Sequence, residues 1–304
     1  MMRLRGGYRS SRLIRGALIA AGVCALAAGT GCGQSPPRTT VRVQPSPTVA
    51  GPAAAERVPR AARAPADLPV LSYDLAPRGF PADPQPLATR RIREGLHPTR
   101  RIAAYDAPGG RARAFLEPKL AGVPLTTPIV TKRAGWVAVM LPSANRRIAW
   151  IPPGTGWTAV PLRDLVVVNR STHRIRWYRD GRLVRSWPVA LGVRATPTPL
   201  GRTFILGRSR LPGGVYANTD VFALGSVPED PRAVPASLRG AHIGIHAWYD
   251  DRAFGRNTTN GCIRLTRSGQ RLLLRNLVPG TPVVVLDAPE AIPTPAPGSS
   301  TRGR

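Results

Sequence analysis

The feature that most restricts how this chain can fold is the run A-H-I-G-I-H-A-W, Ala241 to Trp248, followed closely by T-T-N-G-C-I-R-L, Thr258 to Leu265. Alternation sets His242, Gly244 and His246 on one face of an extended strand, and Ile243, Ile245 and Ala247 on the other. The intervening polar and small residues form a loop long enough to curl back, so that Cys262 is presented beside a strand histidine. Asn260-Gly261 is a strong turn dipeptide, and a turn leaves backbone N–H groups unpaired near the sulfur. The stretch therefore reads as strand, loop and turn, and it carries the minimum equipment of a thiol nucleophile with its base.

The chemistry of those residues can be read further. The two histidines are ~13 Å apart along an extended strand, so Cys262 can hydrogen-bond only one of them, and His246 is nearer the loop. No acidic residue occurs between Arg252 and Asp287, whereas Arg256, Arg264 and Arg267 lie close to Cys262 in sequence. Positive surroundings lower a thiol pKa, which predisposes Cys262 to attack a carbonyl. The amides of Gly261 and Cys262 are the expected donors to an oxyanion, since glycine permits close backbone approach. No Asp or Glu is placed to orient His246, so either a backbone carbonyl does so or nothing does. Arg264 either grips a substrate carboxylate or braces the loop, and Asn260 either bonds the loop backbone or serves as turn chemistry alone. A structural cysteine is the bland alternative. Metal binding would use His242, His246 and Cys262, but no fourth ligand offers itself, so no metal is expected.

The pattern of strand histidine, loop, then Ser/Thr-x-Gly-Cys-x-Arg resembles the signature of the L,D-transpeptidase (YkuD-type) catalytic domain, matched by His246, Thr259, Gly261, Cys262 and Arg264. The segment from Val166 to Gly192 and the following T-P-T-P-L-G-R-T-F are similar to that family's opening hairpin and threonine-proline turn. Asn260 stands where many members carry a second histidine, and Ala247 where glycine or serine usually follows the base. The resemblance implies a mainly β fold, an L,D-transpeptidase-like β-sandwich with a short helix over residues 163–287. It also implies that the Ala247 carbonyl holds His246. As activity it implies peptidoglycan cross-linking: a tetrapeptide donor acylates the cysteine, D-alanine leaves, and the acyl group passes to a stem side-chain amine. The resemblance also implies that carbapenems acylate the same thiol and that no cofactor is needed. A hydrolase acting at the same site and a non-catalytic wall-binding protein are the alternatives.

The remainder of the chain sets these residues in context. Arg3, Arg5, Arg9, Arg12 and Arg15 precede an uncharged run from Gly16 to Gly29, the layout of a secretory signal over residues 1–32 and too short to span a membrane. Thr30-Gly31-Cys32 resembles a lipoprotein cleavage site, which makes Cys32 the lipidation candidate and Cys24 part of the removed segment. The expected location is the cell envelope, with membrane attachment through the signal or the lipid. In an oxidising compartment an unpaired Cys262 is a liability unless it is used. Net charge is +28, and Lys119 and Lys132 are the only lysines. Such a surface suits anionic wall polymer, and no base- or phosphate-reading motif points to nucleic acid.

Residues 33–99 are rich in proline and alanine with little periodicity, as expected of an extended linker. Short strands over residues 100–162 are similar to a small β-barrel of the bacterial Src-homology-three kind, resting on Trp136 and Trp150. That module either binds peptidoglycan, shapes the cleft, or holds its tryptophans as core. His97 and His173 are expected at the surface. Further strands are expected over Leu165 to Asn169, Arg174 to Arg179, Arg182 to Leu191, Thr203 to Gly207, Val221 to Leu224 and Pro282 to Leu286, with Asp180-Gly181 as a hairpin turn. Thr266 is expected to cap a helix carrying Leu273 and Leu277, and residues 288–304 are expected to be a disordered Pro/Ser/Gly tail.

Overall fold

Alternating valines and isoleucines bounded by turn residues give this chain strands of three to nine residues, and they assemble into two sheets. The computed structural model describes residues 57–73, 77–143, 146–209, 219–225 and 243–287. The signal segment with Cys24 and Cys32, the first part of the expected linker, the C-terminal tail and His242 fall outside the described residues.

The first sheet is built from β1 (Glu94–Pro98), β2 (Ile102–Tyr105), β3 (Ala112–Leu116), β6 (Thr127–Arg133), β7 (Trp136–Met140), β8 (Ile148–Ile151) and β9 (Trp157–Pro161). Its order is β3-β2-β8-β7-β6-β1-β9, with every pairing antiparallel. The short strands β4 (Lys119–Leu120) and β5 (Val123–Pro124) form a separate hairpin between β3 and β6. Trp136 is fully buried in this module and Trp150 half-buried.

The expected linker departs from its sequence reading. From residue 57 onward the described residues pack against the first sheet: Leu71, Phe80 and Ile92 are buried, and Glu94–Pro98 is an interior strand between β6 and β9. Asp83 accepts from Arg202 Nε at 2.8 Å, and both residues are buried. Proline and sparse, irregular apolar residues leave no periodicity to read in sequence. Contact with a distant partner supplies the order instead.

The second sheet contains β10 (Asp164–Asn169), β11 (Arg174–Arg179), β12 (Arg182–Pro188), β14 (Gly201–Ser209), β15 (Val221–Gly225), β16 (Gly244–Ala247), β18 (Ile263–Leu265) and β19 (Pro282–Leu286). The order is β12-β11-β10-β19-β14-β15-β16-β18, mixed in direction, with β10 parallel to β19 and β16 parallel to β18. Two short strands, β13 (Leu191–Gly192) and β17 (Asn257–Thr259), pair in parallel beside it. One helix, α1 (Arg267–Asn276), starts at Thr266, whose hydroxyl accepts from the Gly269 amide at 3.2 Å. Ile175 and Trp177 from one end of the sheet, Ile263 and Leu265 from the other, and Leu273 and Leu277 at the helix share a single apolar core. The sheet thus curls around its own contents, in keeping with the mainly β expectation.

Strand β14 joins the two modules through its side-chain alternation. Ile205 enters the core of the second sheet, while Phe204 and Leu206 enter the core of the first. Both sheets belong to one compact unit.

Candidate active site

The site begins with register. Ile245 pairs with Ile263, His246 with Arg264 and Ala247 with Leu265 on the parallel strands β16 and β18. Ile245, Ile263 and Leu265 point into the core, which sends His246, Arg264 and, one step back, Cys262 to the opposite face. Cys262 lies just before β18, level with Gly244. That glycine presents no side chain, and its backbone amide acts to favour the thiolate of the cysteine. Gly244 was placed on the histidine face by alternation alone; its amide contact was not foreseen.

His246 is buried, and its Nδ1 donates to the carbonyl of Ala247 at 2.8 Å. The contact fixes the tautomer, leaving Nε2 as the lone-pair nitrogen. Burial drives the imidazole pKa from its usual 6.5 down to about 4; the bond to Ala247 opposes the shift and Arg264 adds to it. At neutral pH the ring is therefore uncharged and ready to accept a proton.

Cys262 is half-buried and its thiol is free. Burial pushes the thiol pKa above its usual value, while the Gly244 amide and the charge of Arg264 act the other way. This differs from the sequence expectation of a lowered pKa. Arg264 acts in the expected direction, but Arg256 and Arg267 are exposed, and desolvation outweighs the one arginine near the sulfur. The resting pair is thus a neutral thiol beside a neutral imidazole, and the proton has to move as the sulfur attacks.

The nucleophile turn is closed by one hydroxyl. Thr259 is buried, its Oγ1 donates to the Cys262 carbonyl at 2.7 Å, and the same oxygen accepts from the Gly261 amide at 3.1 Å. Gly261 has φ +106°, and a Cβ there would stand 2.8 Å from Ile243 Cδ1, so glycine is required on both counts. The expected pair of oxyanion donors is corrected here, because the Gly261 amide is spent inside the turn. Among the described residues the Cys262 amide has no such acceptor.

Arg264 Nη1 donates to the Thr258 carbonyl at 3.1 Å, and the guanidinium lies 3.4 Å from the centre of the Trp248 ring. Trp248 was not singled out by sequence reasoning, although its position two residues after His246 on the same strand face was available as a signal. Asn260 is exposed, with Oδ1 accepting from Thr196 Oγ1 at 3.5 Å. That contact, with Thr196 and Pro197 carbonyls close to Gly261, puts the threonine-proline turn against the nucleophile turn. His173 contacts Asn257 Oδ1 at 2.9 Å, and His97 donates from Nδ1 to the Leu125 carbonyl at 2.6 Å from a half-buried position in β1; neither belongs to the site.

Comparison with known proteins bears on this arrangement. Residues 163–285 match the L,D-transpeptidase catalytic domain. A putative L,D-transpeptidase of Bacillus licheniformis is 32% identical over 127 residues, covering 41% of this chain and 66% of that protein. The corresponding Bacillus subtilis protein is 30% identical over 107 residues, covering 35% and 56%. The chain therefore spans 66% and 56% of these relatives' lengths. An L,D-transpeptidase structure from Mycobacterium smegmatis is 15% identical, covering 53% of this chain and 89% of that one at a TM-score of 0.35. The matched region begins one residue before β10, ends within β19, and contains every residue of the site described above.

Proposed function

We propose that the chain is a peptidoglycan L,D-transpeptidase working through a thioester on Cys262. The observation that supports the reading best is the placement of Cys262 and His246 on one face of paired parallel strands, the base held by Ala247 and the nucleophile's turn closed by Thr259. The match of residues 163–285 to the L,D-transpeptidase catalytic domain supports peptidoglycan stem peptides as the substrate class.

The proposed sequence follows from the geometry. As Sγ of Cys262 adds to the carbonyl carbon of the third residue of a tetrapeptide stem, its proton passes to Nε2 of His246. The Cys262 amide donates to the oxyanion. Collapse of the adduct breaks the C–N bond, and the departing D-alanine nitrogen takes the proton from His246. The side-chain amine of a second stem then adds to the thioester, giving its proton to His246. The C–S bond breaks, the sulfur recovers the proton, and a new amide joins the stems. The basic start, apolar run and Cys32 support export and attachment at the envelope.

Intact-mass measurement after incubation with a carbapenem, and separately with a tetrapeptide muropeptide, tests the reading. The expected result is an adduct mapped to Cys262 and a cross-linked dimer as main product. Failure of both reagents to acylate folded protein sinks it, and tripeptide monomer as main product at high acceptor concentration selects hydrolysis instead.

A further inference from the structure

Away from the catalytic site, the barrel holds an aromatic pair in use. Tyr105 at the end of β2 and Trp136 at the start of β7 meet edge to face, with ring centres 5.2 Å apart. Each directs its polar atom at the same passing segment: Trp136 Nε1 donates to the Pro59 carbonyl at 2.9 Å, and Tyr105 Oη donates to the Ala62 carbonyl at 2.7 Å. The two carbonyls are three residues apart, and residues three apart in a polyproline II chain face the same way, one full turn on. The half-buried residues Ala61 and Ala64 repeat that interval.

The groove is shaped for a chain to lie in it. Gly109 and Gly135, both at positive φ, flank the aromatic pair; a Cβ on the first would stand 2.8 Å from Pro59 Cβ, and on the second 3.2 Å from Val58 Cγ2. The segment itself lies shallow, with Val58 55% exposed and Arg57, Arg60, Arg63 and Pro65 exposed. Burial becomes complete only at Leu71, after Pro69 and Leu71 have exchanged backbone bonds with Phe115 of the edge strand β3. Residues 57–65 are therefore a surface passenger, and Leu71 is the anchor.

From this we infer that the Tyr105–Trp136 groove of the barrel is a binding site for extended, proline-containing peptides, with the chain's own Arg57–Pro65 segment as its resident ligand in cis. Two indole and hydroxyl donors aimed at carbonyls of an unpaired, proline-bearing chain are the physics by which aromatic grooves read polyproline II ligands. Tethering at Leu71 keeps the resident at an effective concentration on the order of millimolar, so a free peptide competes poorly with it.

A labelled synthetic peptide of residues 57–65 is the probe, titrated by fluorescence anisotropy into the full chain. The resident is loosened by Pro59→Gly, Ala62→Gly and Pro65→Gly, which leave the barrel's own residues intact. The loosened chain should bind the probe at least ~10-fold more tightly than the unaltered chain, because the tethered competitor is gone. Adding Tyr105→Phe, which removes one donor and keeps the ring, should weaken that binding by roughly 3- to 10-fold. Equal binding by loosened and unaltered chains, no binding to the loosened chain, or indifference to Tyr105→Phe overturns the proposal. So does loss of the barrel's cooperative unfolding in the loosened chain, which would make the segment part of the fold instead of its ligand.

Discussion

Replacing Thr259 with valine removes one oxygen from the site while keeping the side chain's shape, and the structure fixes what that oxygen does. Its hydroxyl donates to the Cys262 carbonyl and accepts from the Gly261 amide, in a position only 2% exposed. The substitution strands a buried donor and a buried acceptor at once. Leaving a buried polar group unpaired costs ~1–3 kcal/mol, so the two together should lower stability by ~2–4 kcal/mol after partial relaxation. The same change frees the turn that aims Sγ, and a misplacement of ~1 Å at a reacting atom can cost up to ~10²-fold in rate. Thr259→Ser is the control: it keeps the hydroxyl and loses only a methyl group. Urea denaturation gives the first quantity, and the rate of Cys262 acylation followed by intact mass gives the second. If Thr259→Val acylates within about threefold of Thr259→Ser, a gap of under ~1 kcal/mol, the turn does not depend on this bridge and the reasoning is refuted.

Four further outcomes are expected. The folded chain refuses a proton at His246 until about pH 4, whereas the unfolded chain binds it near 6.5. Stability is therefore complete above pH 6.5 and falls by ~3 kcal/mol as pH drops toward 4, a dependence that denaturation curves should show in the parent and not in His246→Ala. The acid limb of kcat/KM should likewise fall near pH 4 instead of 6.5, read from a pH profile with a tetrapeptide donor. His246→Ala should reduce turnover at least ~10²-fold while far-UV circular dichroism stays unchanged. Asp83→Ala should destabilise the chain by ~3–5 kcal/mol, measured as a shifted urea midpoint, because it leaves the Arg202 guanidinium buried without its carboxylate.

Strands were legible wherever alternation and a turn signal coincide. Asp164–Asn169, Arg174–Arg179 and the Asp180-Gly181 turn follow from the sequence, as do the Thr266 cap and the face shared by Gly244 and His246. Segment 57–93 was not legible. Its order rests on contacts such as Asp83 with Arg202, 119 residues apart, which no local pattern encodes. The fate of the Gly261 amide was hidden for the opposite reason. A threonine two residues away competes for it, and whether a turn amide faces outward or is captured locally depends on a χ1 rotamer that composition does not specify. The thiol's environment was misjudged because arginines near in sequence were counted without asking which of them the fold turns outward.

Among the described residues, the partner that holds Nδ1 of His246 is a carbonyl. A carbonyl contributes a dipole and no countercharge, so an imidazolium formed here has little to detain it in a buried position. In the proposed transfer the ring then behaves as a turnstile with a single place. A second amine cannot deposit its proton until the first has departed with one, and the traffic is single file. Donor and acceptor should accordingly give parallel lines in double-reciprocal plots, and an acceptor that docks ahead of its turn should act as an inhibitor of the first half-reaction.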